Sequence, residues 1–342
     1  MMERPEMREA IERAAGILRD GGLVALPTET VYGLGANALD GAAVERIFKA
    51  KSRPAWDPVI VHVATEDALE GLVSEVSAAA RRLMERFWPG PLTLLLPRTR
   101  VVPDVVTAGR RLVGVRMPSH PVALEVIRRA GVPVAAPSAN RFGHISPTTP
   151  EHVLDDLDGR IDAVVDAGPT QRGVESTVLD PSTSPMMIYR PGAVTMEQIS
   201  EVAGPVELYR GDDVLRETPE AAMPSPGVGL RHYSPRARLV LIEAPDEELD
   251  ACIAKAAKAE QGERLGVMLP GGVAAPREIE ARIYEWGRWG EPETLARELY
   301  AGLRALDAAG CNVIVCPVPT AEGIGAAIRD RLQKAGNKRT RE

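Results

Sequence analysis

Short apolar runs recur along the first two-thirds of this 342-residue chain, with segments of helical period between them. They are "LVAL" at 23–26, "VIVHV" at 59–63, "LTLLL" at 92–96, "LVGVR" at 112–116 and "VPVAA" at 132–136. "DAVVD", "STVLD" and "MMIYR" follow. A strand with one wet face alternates apolar with polar residues, so a wholly apolar run needs cover on both faces. The intervening helical segments supply that cover; Met7, Ile11, Ala14 and Leu18 keep one such period. The alternation predicts an α/β domain over residues 1–205, built on a largely covered mixed sheet.

Residues 206–236 break the pattern. Their "TPEAAMPSPGVGLRHYSPRA" holds four prolines and no periodicity, which marks a linker. Beyond it "RLVLIE", "RLGVML" and "NVIVC" alternate with helical segments and predict a smaller α/β unit over 237–335. The basic end, 336–342, reads as a frayed tail. Net charge is −7, about −4 of it in residues 1–205, so neither half is a basic nucleic-acid module. No apolar run nears the roughly 18 residues of a membrane span, and the charged start does not read as a signal peptide. Cys252, Cys311 and Cys316 form no metal-ligand spacing and suit a reducing cytoplasm.

The familiar nucleotide motifs fail. "GPTQRG" is followed by Val174 where a P-loop needs lysine, and "GLGANA" stands too far from its strand for a dinucleotide fingerprint. What remains is polar residues gathered at the ends of apolar segments. "LPTETVYGLG" packs hydroxyls, a carboxylate and glycines behind "LVAL". "KSRP" sets Lys51 and Arg53 two residues apart, and surface charge and a polyphosphate clamp fit that pair equally well. Ser138 and Asn140 follow "VPVAA", at the carboxyl end of a strand where ligands of α/β sheets bind. Thr149 before Pro150 reads as a helix cap. Ser176 opens a strand, Arg116 and Arg190 close two others, and His62 sits within one.

Taken in order, "LPTETVYGLGANA", "KSRP", "WPGPLTLLL", "GVRMPSHP", "APSAN", "SPTT", "GVESTV" and "RPGAVT" resemble the threonylcarbamoyl-AMP synthase family over about residues 8–202. The linker "RHYSP" and the unit behind it resemble the family's long form. The resemblance implies a YrdC-like twisted mixed sheet with helices around a deep cavity, plus a Rossmann-like C-terminal domain. It implies synthesis of threonylcarbamoyl-AMP and pyrophosphate from L-threonine, bicarbonate and ATP, with Mg2+ entering on ATP and no direct protein ligand to the metal. A separate transferase complex would pass the product to tRNA, in the cytoplasm, with tRNA binding by this chain itself expected to be absent or weak.

By motif, the resemblance puts Thr30, Tyr32, His62, Arg116, Ala136 and Ser176 on threonine. It puts Lys51, Arg53, Asp57, Leu112, Ser138, Asn140, Ser146 and Arg190 on ATP, with Lys51 and Arg53 as the catalytic pair. Arg231, His232 and Tyr233 match a linker segment that covers the cavity as a lid. Two departures are visible: Arg141-Phe142 replace a small residue and serine, and Asp57 replaces a common asparagine. The rival readings are carbamoyl adenylation in hydrogenase maturation, whose proteins carry Cys pairs absent here, and a non-catalytic RNA-binding module.

Overall fold

The alternation seen in the sequence is explained by the sheet it builds. The computed structural model describes residues 4–209, 223, 225, 228, 233–276 and 279–336, in two compact units. The first unit holds ten strands: β1 (Val24–Pro27), β2 (Tyr32–Asn37), β3 (Ile60–His62), β4 (Leu92–Pro97), β5 (Leu112–Arg116), β6 (Val134–Ala135), β7 (Ala163–Val164), β8 (Thr177–Asp180), β9 (Met186–Arg190) and β10 (Val206–Leu208). Their order is β10-β9-β8-β4-β5-β3-β6-β2-β1-β7, with parallel and antiparallel pairs mixed. Val206–Leu208 fall inside the stretch read as linker; the structure instead pairs them with β9.

Successive residues of a strand face opposite sides. In "LVAL", Leu23 and Ala25 enter one core cluster with Leu34, Ile47 and Leu83, while Val24 and Leu26 enter another. The second cluster is covered by α1 (Pro5–Arg19) and α5 (Pro121–Ala130). A run apolar at every position is therefore what this sheet requires. The helix α2 (Gly41–Lys51) starts on the Asp40 side chain, which accepts from the amides of Ala42 and Ala43. It stops at Ser52, whose left-handed φ of 54° turns the chain away just after Lys51. Thr149 caps α6 (Pro150–Leu157), as its sequence context predicts.

The second unit draws on residues 143–145, 172–174 and those from 230 onward. Its strands β11 (Arg238–Ile242), β12 (Leu265–Gly271), β13 (Arg282–Arg288) and β14 (Val313–Pro317) are all parallel, in the order β11-β14-β12-β13. The buried Trp286 donates its indole N–H to Leu295 O of α9 (Pro292–Ala308) at 2.8 Å, so the largest apolar group in this core has its polar atom satisfied.

Candidate active site

Registers across the first sheet line up one row of residues. His62 pairs with Arg116, the last residues of the parallel strands β3 and β5. Leu94 of β4 pairs with Val115, which brings Thr93 level with Arg116. Thr93 pairs with Val178 of β8, and Val178 with Arg190 of β9. Five neighbouring strands thus carry His62, Arg116, Thr93, Val178 and Arg190 side by side. The polar members of this row are buried, which places four hydrogen-bonding side chains side by side within the sheet.

Around Arg116 the "PTETVY" loop closes. The guanidinium forms an ion pair with Glu29 at 2.6 Å, donates to Thr30 Oγ1 at 3.0 Å and to Gly90 O at 3.2 Å. Thr30 Oγ1 lies 2.8 Å from Thr28 Oγ1, whose hydroxyl reaches Val31 O at 2.6 Å. Glu29 and Arg116 are both buried, at 2% and 4% exposure, so each charge has the other as its compensation. His120, at the start of α5, feels Glu29 directly: burial lowers its pKa and the carboxylate acts against that. Tyr32 is fully buried, its phenol donating to Gly168 O at 2.8 Å, and burial pushes its pKa up to about 12. Ala136 donates its amide to Ile60 O at 2.8 Å.

A second cluster lies around Lys51. Its Nζ donates to Ser138 O and Asn140 O at 2.5 Å each, in a fully enclosed position. Burial, followed by the neighbouring Arg53 charge, lowers the Lys51 pKa well below its ordinary value. Arg53 is held by Asp57 at 3.0 Å and donates to Pro58 O at 2.7 Å, with its guanidinium 5.9 Å from the Phe142 ring centroid. Burial raises the Asp57 pKa, while Arg53, Lys51 and Arg190 pull it down. Those three cations therefore share one neighbourhood. The surface-charge reading of "KSRP" is excluded. The two departures noted in the sequence meet here too, since Asp57 pairs with Arg53 and Phe142 packs beneath it.

Ser176 joins the clusters. Its hydroxyl lies 2.8 Å from Thr93 Oγ1, and Arg190 donates to its carbonyl at 2.9 Å and its hydroxyl at 3.1 Å. Ser146 donates to Glu175 at 2.5 Å. Gly192, in "RPG", lets the chain pass: a Cβ there would stand 2.3 Å from Thr177 N. Leu112 lines a cleft with Pro58, Val59 and Gly114. Tyr233 lies in the second unit, its ring stacked on Tyr300 at 5.7 Å with the Arg331 guanidinium 5.1 Å from its centroid. Arg231 and His232 lie outside the described residues.

Five members of these clusters were assigned to no ligand from the sequence: Thr28, Glu29, Thr93, His120 and Glu175. Glu29 and Glu175 stand inside motifs already quoted, and an acid flanked by threonines or followed by serine was the available signal. Thr93, in the middle of "LTLLL", offered none.

His62 makes one consequence measurable. Burial and then the Arg116 charge lower its pKa to about 3. The unfolded chain therefore binds the proton first, near the ordinary 6.5, and stability falls as pH drops below that value toward 3. Between pH 7 and pH 5 the His62 contribution amounts to about 2 kcal/mol lost. Urea unfolding of the wild type and His62→Gln across that range checks it; the variant's curve should be flatter by that amount, and parallel curves would refute the assignment.

Comparison with known proteins gives consistent results. The family model described as telomere recombination, Sua5/YciO/YrdC, matches residues 16–192. The model for the threonylcarbamoyl-AMP synthase C-terminal domain matches residues 194–337. The threonylcarbamoyl-AMP synthase of Pyrococcus abyssi is 42% identical over 97% of this chain and 97% of its own. That of Bacillus subtilis is 43% identical over 96% and 93%. The crystal structure of P. abyssi Sua5 complexed with L-threonine aligns with a TM-score of 0.87 at 42% identity, covering 98% of this chain and 96% of that one.

Proposed function

Since the chain belongs to the threonylcarbamoyl-AMP synthase family, and is such a synthase, we propose that the two buried clusters divide its substrates between them. L-threonine takes the Thr30–Arg116–Ser176 side, and ATP takes the Lys51–Arg53–Arg190 side. The observation that carries this division is the pair of adjoining cation sets, one a single arginine paired with Glu29 and the other three basic side chains gathered around Asp57. Arg116 sits in an ion pair that an amino acid, carrying both charges, enters without changing the net charge. Lys51, Arg53 and Arg190 face Asp57, with Asp156 also acting on Lys51, so a triphosphate meets more basic groups than acidic ones there. The P. abyssi relative crystallised with L-threonine supports the choice of amino acid.

On this reading the threonine amine combines with bicarbonate to give a carbamate. The carbamate oxygen then attacks the α-phosphorus and pyrophosphate leaves, which is nucleotidyl transfer. No side chain has to form a covalent intermediate. Positioning the two reactants and stabilising phosphate charge supply the rate. Among the described residues no group of three or more His, Cys, Asp or Glu could hold a metal ion, and Asp57 is committed to Arg53. Magnesium would come bound to the triphosphate, neutralising its charge. The product is a reactive mixed anhydride, so a transferase complex acting on tRNA is its proposed consumer. No helix of the described residues is long and apolar enough to cross a membrane, and three free cysteines fit a cytoplasmic setting.

Pyrophosphate release, measured with each of the twenty amino acids and with or without bicarbonate, tests the reading. Release should need both bicarbonate and threonine. A site whose polar groups pair with threonine's hydroxyl should reject valine by about four powers of ten, because those groups are otherwise left unpaired. Equal turnover with valine, or without bicarbonate, would overturn the substrate assignment.

A further inference from the structure

The reaction just described has a proton to dispose of. An amino acid at neutral pH carries an ammonium group, and nitrogen without a lone pair cannot attack carbon. Some group must take that proton, and the cation cluster cannot. Arg53, Arg116 and Arg190 only donate, and Lys51 turns its Nζ to the carbonyls of Ser138 and Asn140, on the side proposed for ATP rather than the amino acid. Asp57 faces Arg53. His62 is too weak a base to hold a proton at neutral pH, its pKa lying at about 3.

One acid remains. Glu29 stands in the turn between β1 and β2 and is 2% exposed. Its Oε1 lies against Arg116. Its Oε2 is buried and meets no hydrogen-bond donor among the described residues. Nδ1 of His62 and Nδ1 of His120 are likewise without partners. The groups facing this carboxylate are therefore Arg116 from β5, His120 from the start of α5 and, beyond Arg116, His62 from β3. A buried acceptor with no donor is a cost the fold carries in the absence of ligand. A carboxylate oxygen in that state calls for a cationic N–H donor, and an ammonium group is the donor an amino acid brings.

We propose that Glu29 binds the ammonium group of the amino-acid substrate and accepts its proton, which starts carbamate formation. The inference rests on threonine being the substrate. In the balanced sequence the ammonium gives one proton to the Glu29 carboxylate, leaving a neutral amine and a carboxylic acid. The acid protonates bicarbonate, which loses water to become carbon dioxide. The nitrogen lone pair forms the N–C bond to carbon dioxide, and the proton released from nitrogen returns to Glu29 and then to solvent. Overall, ammonium and bicarbonate give carbamate, water and one proton. Arg116 keeps the carboxylate in place and is a positioning residue for this step.

Two measurements test it. In the unmodified chain, 3-hydroxybutanoate, which is threonine without its amine, should bind at least tenfold more weakly than L-threonine; equal affinity overturns the proposal whatever any variant does. In Glu29→Gln, threonine-dependent turnover at pH 7 should fall by about a hundredfold, the scale of a lost general base. It should then recover roughly tenfold per pH unit up to pH 9, as the amine loses its proton unaided. Affinity for a non-hydrolysable ATP analogue should stay within twofold of the wild type. A fall in rate with a wild-type pH profile would mark a structural role and overturn the proposal, as would an unchanged rate. Absence of any threonine-dependent turnover in the unmodified chain would overturn the substrate reading first, and this proposal with it.

Discussion

Lys51→Ala should lower kcat/KM for ATP by a factor of a hundred to a thousand, with the fold retained. The expectation follows from where the ammonium sits. It is enclosed, and its two partners are the carbonyls of Ser138 and Asn140, at the end of the segment that follows β6. A preorganised cation in such a site interacts with phosphate far more strongly than one in water, and removing a single oxyanion-stabilising donor costs about 3 kcal/mol. The depressed pKa of Lys51 adds a signature that surface charge would lack. Burial disfavours the charged form, and a triphosphate favours it, so ATP binding takes up a proton wherever the pH lies above the lowered Lys51 pKa. ATP affinity should weaken as pH rises through the lowered Lys51 pKa and should lose that dependence in Lys51→Met. Steady-state kinetics together with nucleotide titrations across the whole pH range in which the chain stays folded decide it. A rate within a few-fold of the wild type in Lys51→Ala would show that the phosphates bind elsewhere.

The second large effect belongs to Arg116. Arg116→Met should destabilise the first unit by about 3–5 kcal/mol, because it leaves the Glu29 charge buried without compensation. Three hydrogen-bonded or ion-paired contacts go with it, those to Glu29, Thr30 and Gly90. The double variant Arg116→Met with Glu29→Met should recover much of the lost stability, since replacing a whole buried pair by apolar side chains is often neutral. Activity should not return in the double variant. Denaturant unfolding of the two singles and the double forms a thermodynamic cycle. Additive losses would mean that the two side chains do not interact as the geometry indicates.

Much of this architecture is visible in the sequence, and the invisible part has a common cause. Apolar runs and helical periods are local, so most of the strands, the capping of α6 by Thr149 and the α/β character of the second unit follow from short windows, while β2 and β13 do not. The ordered motifs identify which loops matter. Pairings do not follow in the same way. Glu29 and Arg116 are 87 residues apart, and nothing in either neighbourhood says that they meet. "KSRP" fitted a solvated face as well as a phosphate clamp, because burial of Lys51 depends on a loop that arrives near residue 138. The row from His62 to Arg190 exists only through the strand order, which is a property of long-range pairing.

That strand order has a bearing on how the chain is made. β4 lies between β5 and β8, but β8 follows it by about eighty residues. A ribosome delivers the chain from its first residue onward, so the nascent chain carries β4 with one edge unpaired until Thr177–Asp180 emerges. Leu92, Leu94 and Leu96, all buried at the end, lie along that strand throughout. An unpaired apolar edge invites strand addition from other chains, and the interval grows whenever elongation slows. Yield of active enzyme should accordingly depend on translation speed between residues 98 and 176 and on the supply of chaperones that shield nascent edges.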